Sequence, residues 1–350
     1  MSWHACSLGE VVKLQRGHDL PEGARVEGPV PVVSSAGVTG WHNVAKADPP
    51  GVVTGRYGTI GEVFFIEEPY WPLNTALYVV DFKGNDPRFV AYLLRNTLRN
   101  YQSEKAAVPG VDRNVLHQLP VKSASRPTQK RVVELLSSYD DLIENNRKRI
   151  ALLEEAARLL YREWFVHLRF PGHEHVKVVD GAPEGWERRS VGTLLELRYG
   201  KALKESDRTA GLFPVYGSSG VVGTHETALV EGPAIVVGRK GNVGSVYWSP
   251  CAFWPIDTVY YVPKEQSDFW LYLTLPTVGF QNTDAGVPGL NRDFAYSRKC
   301  LVPSQRHRRL FDETVEPMFS QITTLENFNY KLAEARDLLL PRLMNGEIAV

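Results

Sequence analysis

The sequence predicts an α+β fold in which two similar mixed α/β domains are separated by two long antiparallel coiled-coil helices, with a pseudo-twofold internal repeat. Three observations predict it. One block of sequence recurs at a nearly constant offset, short apolar runs within each block have the character of strands, and a heptad pattern follows each block. Fixed-offset similarity is the mark of a duplicated structural unit.

The repeat keeps its register over a long stretch. SLGEVVKLQRG from Ser7 returns as SVGTLLELRYG from Ser190, 183 residues later. The same offset relates GRYGTIGEV to GRKGNVGSV and YWPLNTALY to FWPIDTVYY. Near the end of each block the offset falls to 179, where VPGVDR from Val108 returns as VPGLNR from Val287. Chance does not preserve such a register, so the chain contains a duplicated domain.

Each block is predicted to be rich in β-strands. The runs VVKL, VVT, EVFFI and ALYVVD combine β-branched and aromatic residues and are bounded by Gly, Pro and Asn, as strands are. The later runs PRFVAYLLRNTLR and DFWLYLTLP are predicted helices. Each block is therefore a mixed α/β domain.

A heptad seam follows the first block, and residues 128–168 are predicted to form one long helix. The seam alternates steps of four and three, which is typical of a coiled coil. Its positions are Val132, Leu136, Tyr139, Ile143, Asn146, Ile150, Leu153, Ala157, Leu160 and Trp164. At a rise of 1.5 Å per residue the seam is about 50 Å long.

A second seam lies 179 residues further on, and it is less regular because Asn329 and Arg336 interrupt it. Its other positions are Phe311, Val315, Met318, Ile322, Leu325, Leu332, Leu339 and Leu343. A whole domain separates the two helices, so we expect them to pair with each other in antiparallel fashion. Asn146 and Asn329 either set the register, as lone polar seam residues do, or are simply exposed. Pairing between two copies of the chain remains the alternative.

These patterns divide the chain into four parts. They are a first domain over residues 1–125, a central helix over 126–170, a second domain with its turn-rich entry linker over 171–303, and a C-terminal helix over 304–350.

The composition constrains the function. Lys plus Arg equals Asp plus Glu, at 40 each. Autonomous DNA-binding proteins usually have a basic excess, so a DNA-binding role for this chain implies a shared interface or a one-sided charge distribution. Cys6, Cys251 and Cys300 fit no disulfide framework or zinc site and indicate reduced thiols. No signal peptide and no membrane span are recognisable, so a cytoplasmic protein is expected.

Two glycine-flanked turns carry the strongest candidates for binding an anion. Arg56 and Tyr57 follow one apolar strand, and Arg239 and Lys240 follow its repeat. Glycine lets the backbone approach a phosphate closely, and arginine binds a phosphate or a guanine through two hydrogen bonds. The alternative is a tight hairpin whose arginine forms a salt bridge within the domain.

Other candidates lie in loops. Two polar turns precede histidines and either bind phosphates and base edges or are locally hydrogen-bonded turns. Arg113 and Arg292 precede the long helices, where DNA contact and a salt bridge at the helix entry are equally compatible. The polar turns and their histidines are Ser34, Ser35 and His42, and then Ser218, Ser219 and His225. No metal ligand set surrounds either histidine.

Enzymatic motifs are missing. Asp48-Pro49-Pro50 resembles the start of an amino-methyltransferase motif, but glycine stands where an aromatic residue is needed. The chain has no P-loop, no Glu-x-Lys nuclease element and no Gly-x-Ser-x-Gly element. Neither a catalytic residue nor a cofactor is predicted.

Over essentially its whole length the chain resembles the specificity subunit of type I restriction-modification systems. The likeness is carried by LYREWFVHLRFPG followed by APEGW, by LLLPRLMNGEI near the C-terminus, and by PVYGSSGVVG, IVVGRKGNVGSV and WPIDTVYYV. The chain is short for that family, so the loops that enlarge the DNA surface in some members are expected to be missing.

The resemblance implies a role. Each block would be a target-recognition domain that reads one half of a split, asymmetric site in double-stranded DNA. The helices would set the spacing through Ile143, Asn146, Ile150, Leu153, Ile322, Leu325, Asn329 and Leu332. They would also dock adenine-specific methyltransferase subunits, which bind S-adenosylmethionine and flip the adenine out. Motor-nuclease restriction subunits would complete the complex. The rival interpretation is a coiled-coil adaptor whose twin domains bind proteins or glycans.

Overall fold

The computed structural model describes residues 3–57, 61–99, 111–282 and 289–348. These residues form two compact units, a first unit of Met1–Asn145 with Phe328–Val350 and a second unit of Asn146–Asn327. The predicted boundaries after residues 125, 170 and 303 follow the sequence repeat rather than these contacts, and they remain a prediction. Parts of the repeated loops, namely Gly58 and residues 108–110 and 287–288, lie outside the described residues.

The first unit is built on small sheets that surround one main core. Its elements are β1 (Trp3–Ser7), α1 (Leu8–Val11), β2 (Lys13–Arg16), β3 (Val30–Ser34), β4 (Gly37–His42), β5 (Gly51–Gly55), β6 (Val63–Ile66), β7 (Trp71–Pro72), β8 (Ala76–Asp81), α2 (Pro87–Leu98), α3 (Arg113–Gln118), β9 (Pro120–Ala124) and the start of α4 (Arg126–Tyr161). The strand orders are β2-β8-β5-β6, β4-β3-β7 and β1-β9. Only the β3–β7 pair is parallel among these described strands.

The second unit repeats this topology. Its further elements are β10 (Val178–Val179), β11 (Ala182–Pro183), β12 (Glu187–Ser190), β13 (Arg198–Tyr199), β14 (Phe213–Gly217), β15 (Gly220–His225), β16 (Ala234–Gly238), β17 (Val246–Ser249), β18 (Trp254–Pro255), β19 (Val259–Val262), α5 (Phe269–Thr274), α6 (Arg292–Ser297), β20 (Lys299–Val302) and α7 (Gln305–Met344). The orders β13-β19-β16-β17, β15-β14-β18 and β12-β20 match the three sheets of the first unit strand for strand. The predicted fold class and the internal repeat are confirmed.

One predicted strand is wrong at its start. The run VVKL was predicted as a strand, but Val11 ends the short helix α1 and β2 begins only at Lys13. The cause is a capping box, because the carboxylate of Glu10 accepts hydrogen bonds from the backbone N–H of Ser7 at 2.7 Å and from its hydroxyl at 2.8 Å. This local signal overrides the β propensity of the two valines.

The long helices pair in antiparallel fashion within each unit. In the first unit, Lys122 just before α4 donates to the carbonyl of Asn345 just after α7, at 3.0 Å. Further along α4, Asp140 bonds Arg336 of α7 at 2.5 Å. In the second unit, the end of α4 meets the start of α7, where the ring of Tyr161 lies 6.2 Å from that of Phe311. The predicted antiparallel arrangement is therefore observed inside both units.

The predicted seams lie on the inner faces of the helices. Among the spacer residues the buried ones are Ile143, Asn146, Ile322, Leu325 and Leu332, and the half-buried ones are Ile150, Leu153 and Asn329. Beyond Tyr161 the helix continues as a π-helical turn over Arg162–Val166, which places Trp164 and Phe165 in the core. Among the described residues, no helix combines the length and the apolar character needed to cross a bilayer.

Candidate nucleic-acid interface

In the first unit the turn after β5 is held by backbone hydrogen bonds. The N–H groups of Arg56 and Tyr57 donate to the carbonyl of Thr75 at 2.9 and 3.3 Å, and the N–H of Val111 donates to the carbonyl of Arg56 at 2.9 Å. The Arg56 guanidinium carbon lies 4.5 Å from the centre of the exposed Tyr57 ring. The turn therefore has a fixed backbone, and it presents a cation stacked on an aromatic ring.

The second unit repeats this turn with different side chains. The N–H groups of Arg239 and Lys240 donate to the carbonyl of Thr258 at 2.9 and 3.0 Å, and the N–H of Leu290 donates to the carbonyl of Arg239 at 2.8 Å. Lys240 is exposed where Tyr57 stands in the first unit. The loop that precedes α6 is thus tied to the turn that follows β16, which brings Arg292 to the same end of the unit.

Arg239 is more firmly held than its counterpart. Its Nε and Nη2 atoms donate to the carbonyl of Asp257 at 3.0 and 2.7 Å. Its guanidinium carbon lies 5.3 Å from the ring centre of Tyr199, and that of Arg292 lies 5.3 Å from the same ring. Tyr199 lies 5.0 Å from the buried Tyr260 ring, whose hydroxyl donates to the carbonyl of Leu290 at 3.0 Å. Two guanidiniums therefore flank one exposed tyrosine.

Tyr199 was not singled out from the sequence, although a signal was present. Gly200 and its repeat partner Gly17 follow positions 199 and 16. A Cβ on Gly200 would lie 2.1 Å from the carbonyl oxygen of Ile256, and one on Gly17 would lie 2.1 Å from that of Leu73. Only glycine permits this backbone approach. Arg16 in the first unit and Tyr199 in the second therefore each precede a glycine that lies against the backbone of a neighbouring loop.

The polar turns differ in accessibility. Ser34 is buried, and its hydroxyl donates to the carbonyl of Gly37 and accepts from the N–H of Ala36, so it closes the β3–β4 hairpin. Ser35 is half-buried in the turn itself. In the second unit, Ser219 is exposed and Ser218 is half-buried. The Ser218 carbonyl accepts from Ser245 Oγ at 2.7 Å and from the Tyr247 hydroxyl at 3.2 Å, which ties this hairpin to the loop after β16.

Both histidines have structural roles in the interior. His42 Nδ1 accepts from the N–H of Val26 at 3.0 Å, and His225 Nδ1 accepts from the N–H of Thr209 at 3.1 Å. Each ring packs edge-on against a tryptophan, Trp71 at 5.3 Å and Trp254 at 5.4 Å. They are exposed by only 7% and 8%. Since the same contacts recur in both units, this placement favours a role in folding over contact with DNA.

The arginines of these turns and loops have no ionic partner in the part of the chain that the structure describes. Among the described residues no carboxylate forms an ion pair with Arg56, Arg239 or Arg292. Arg113 is exposed at the start of α3, in the position that Arg292 occupies at the start of α6. An adaptor whose arginines serve only the fold would bury them in ion pairs, so the observed charges favour an external anion.

Metal chemistry is not indicated in the part of the chain that the structure describes. No group of three or more His, Cys, Asp and Glu side chains there could hold a metal ion. Burial raises the pKa of the Cys300 thiol, and it also raises the pKa of the Cys251 thiol.

A family model for the type I restriction modification DNA specificity domain matches residues 2–155 and 183–282, which is well over half of the chain. The chain belongs to this family. Each matched segment contains most of one copy of the repeat, and the first segment also includes much of α4. The type I specificity family thus accounts for the doubled fold.

Two relatives are similar to the chain over most of their own length. The chain is 21% identical to the type I restriction enzyme MjaIX specificity subunit of Methanocaldococcus jannaschii, over 83% of this chain and 76% of the relative. It is 22% identical to the type I restriction enzyme HindI specificity subunit of Haemophilus influenzae, over 82% of this chain and 84% of the relative. The crystal structure of the type I S subunit from M. genitalium has the same fold, with a TM-score of 0.59 at 16% identity over 98% of this chain and 96% of that one.

Membership assigns the chain a role in DNA sequence recognition within a type I restriction-modification complex. The turns after β5 and β16 and the loops that lead into α3 and α6 are its candidate DNA-reading elements.

Proposed function

We propose that this specificity subunit is non-catalytic and that each of its two recognition domains reads one half of a split, asymmetric site in double-stranded DNA. The observation that carries the proposal is the equivalent placement of Arg56 and Arg239. Each follows a buried strand, has its backbone fixed by a carbonyl of the next loop, and lacks an ionic partner among the described residues. Such arginines suit phosphates and guanine edges.

The proposed DNA contacts are chosen by accessibility. His42, His225 and Ser34 are left out because their polar atoms serve the interior of each unit. The remaining set is Arg56, Tyr57, Arg113 and Ser35 in the first unit, and Arg239, Lys240, Arg292, Ser218 and Ser219 in the second. Because the side chains differ between the units at equivalent positions, the two half-sites are expected to differ in sequence.

The helices would act as the spacer and as the dock for partners. Half-sites read from one face of B-DNA lie about 34–36 Å apart, and paired helices can hold two domains at such a distance. The partners are adenine-specific methyltransferase subunits that bring S-adenosylmethionine, and motor-nuclease restriction subunits that cut unmethylated DNA. Acting on the chromosome, this complex would work in the cytoplasm. The family's naming as restriction-enzyme specificity subunits supports this assembly.

Methylation mapping tests the proposal. The chain is co-expressed with a candidate methyltransferase subunit in a host that lacks adenine methylation, and methylated adenines are sequenced across the genome. We expect a split asymmetric motif that disappears when this chain is omitted. A complex that forms and methylates DNA without any dependence on this chain would overturn the proposal.

A further inference from the structure

The cluster of Tyr199, Arg239 and Arg292 has a geometry that the first unit does not repeat. Tyr199 is 51% exposed, and both guanidinium carbons lie 5.3 Å from its ring centre. In the first unit the equivalent position holds Arg16, and Arg56 stacks on its own neighbour Tyr57 instead. The second unit therefore brings two cations from separate loops to a single ring.

Arg239 is held in place, and neither cation forms an ion pair with a carboxylate of the described residues. Two nitrogens of Arg239 are committed to the carbonyl of Asp257, which fixes the plane of the guanidinium and leaves Nη1 without a hydrogen bond to any described residue. Arg292 has no ion pair with a described carboxylate. The ring attracts each cation, and this attraction offsets part of the repulsion between them. A site that holds two neighbouring cations, with no carboxylate paired to them among the described residues, suits an anion supplied from outside.

The aromatic stack also fixes the backbone that carries Arg292. Tyr199 packs on Tyr260, and the Tyr260 hydroxyl bonds the carbonyl of Leu290, two residues before Arg292. Burial raises the pKa of Tyr260, which is consistent with a protonated hydroxyl that donates to this carbonyl. Tyr199 is therefore connected to Arg292 through the ring contact and through the loop.

We propose that Tyr199 is a positioning residue that holds Arg239 and Arg292 as a clamp on the phosphate backbone of the DNA bound by the second unit. The inference rests on the proposed function, because it assumes that this loop end contacts DNA. The clamp contributes affinity rather than sequence information, since phosphate contacts orient a protein on the duplex and bases are read elsewhere.

Salt dependence of DNA binding is the test. The full chain is titrated with a fluorescently labelled duplex of random sequence at several KCl concentrations, because phosphate contacts are independent of sequence. Arg239→Ala and Arg292→Ala should each weaken binding about ten-fold and reduce the slope of log K against log salt by about one. Tyr199→Ala should do the same, whereas Tyr199→Phe should bind as the wild type does.

A double-variant cycle separates positioning from general damage. Once Tyr199 is replaced by alanine, removal of Arg292 should cost little more, because residues that act as a unit are not additive. Lys264→Ala is the charge control, since Lys264 is exposed beyond the end of β19 opposite to the Asp257 loop. The thermal midpoint of each variant should stay within a few degrees of the wild-type value.

The outcomes distinguish the two claims. Additive losses for Tyr199→Ala and Arg292→Ala, or a Tyr199→Phe variant as weak as Tyr199→Ala, would overturn the clamp and leave the proposed function intact. Binding by the wild type that does not depend on salt would overturn both.

Discussion

The two units pack their long helices with opposite chemistry at equivalent positions of the repeat. In the first unit, Asp140 of α4 bonds Arg336 of α7 at 2.5 Å and accepts from the Tyr92 hydroxyl at 2.6 Å. In the second unit, the residues 179 positions away are Phe319 and Ala157. Phe319 stacks on Phe269 with ring centres 4.3 Å apart. A partly buried ionic layer in one unit is thus an apolar layer in the other.

This difference shows which parts of a duplicated fold are fixed and which are free to change. The strand orders and the histidine contacts recur in both units. The side chains of the helix-to-helix layers and of the turns after β5 and β16 differ between the units. An ionic layer of one helix packs unfavourably against an apolar layer of the other, because a charge placed against an apolar surface loses its hydration without gaining a partner. Each stretch of α4 therefore has a preferred stretch of α7, which favours a single register of the pair.

The largest expected effect is in the apolar layer. Phe319→Ala should destabilise the second unit by about 3–5 kcal/mol, because it deletes a buried ring that stacks on Phe269 and packs edge-on against Tyr272. Hydrogen-exchange mass spectrometry on the full chain measures this loss separately for peptides of the two units. Leu212→Ala is the control, since that side chain is 92% exposed. Equal protection in the variant and the wild type would show that the layer is not a source of stability.

A somewhat smaller effect is expected in the ionic layer. Asp140→Ala should destabilise the first unit by about 2–4 kcal/mol, because the Tyr92 hydroxyl loses its acceptor and the guanidinium of Arg336 keeps only the carboxylate of Asp337 among the described residues. The double variant Asp140→Phe with Arg336→Ala copies the pair of the second unit. Its loss, measured by the same exchange experiment, should be less than the sum of the two single losses. A strictly additive result would mean that the two residues do not act as one layer.

Removal of a contact that recurs in both units should lower the free energy of unfolding less than the two changes above. The loss should be similar in the two units. His42→Ala and His225→Ala should each lower the free energy of unfolding by about 1–2 kcal/mol, because a partly buried backbone N–H loses its acceptor. The salt slope of DNA binding should not change in either variant. A reduced slope would place the histidine in the DNA interface, as one of the sequence-based alternatives had it.

The smallest effect depends on pH and belongs to the second unit. Burial and the neighbouring Asp268 raise the pKa of Asp312 to about 7. The folded state therefore holds a proton that the unfolded state releases near pH 4, so the stability contributed by this group falls as the pH rises from about 4 to 7. Asn resembles the protonated form, and its side-chain oxygen can still accept from the N–H of Trp270. Asp312→Asn should raise the thermal midpoint by about 2–4 °C at pH 8 and by less at pH 5.

Glu313→Gln is the matched control for this titration, because Glu313 is the exposed neighbour of Asp312 and pairs only with Arg309 among the described residues. A shift of the midpoint in Asp312→Asn that is the same at both pH values would contradict the assignment of the titration to this carboxyl.

The sequence predicts the framework well because the framework is periodic. Offsets of 183 and 179 residues locate the equivalent strands and helices, and the heptad seams identify the buried faces of α4 and α7. Arg336 stands out in the sequence as a polar interruption of its seam, but its partner Asp140 does not. Asp140 lies beside the seam. Its contribution to stability depends on the hydrogen bond from Tyr92 of α2, and the sequence alone does not reveal that this residue is its neighbour.

The candidate site is predicted less completely. The turns with Arg56 and Arg239 are visible from the repeat, since glycine and arginine recur in both copies. The structural roles of the histidines cannot be predicted, because their spacing in the sequence is the same whether the ring is buried or exposed. Tyr199 is hidden for another reason, namely that the repeat has Arg16 at its position and its neighbours come from distant loops.

The most direct test of the central claim is to map the methylated motif with a variant of one unit only. The chain carrying Ser219→Ala and Lys240→Ala, two exposed proposed contacts outside the phosphate clamp, is co-expressed with the methyltransferase subunit, and its methylated adenines are sequenced beside those of the wild type. If each unit reads its own half-site, the half assigned to the second unit becomes degenerate or lost, and the other half keeps its sequence. Equal change in both halves, or an unchanged motif, would contradict the division of labour between the two units.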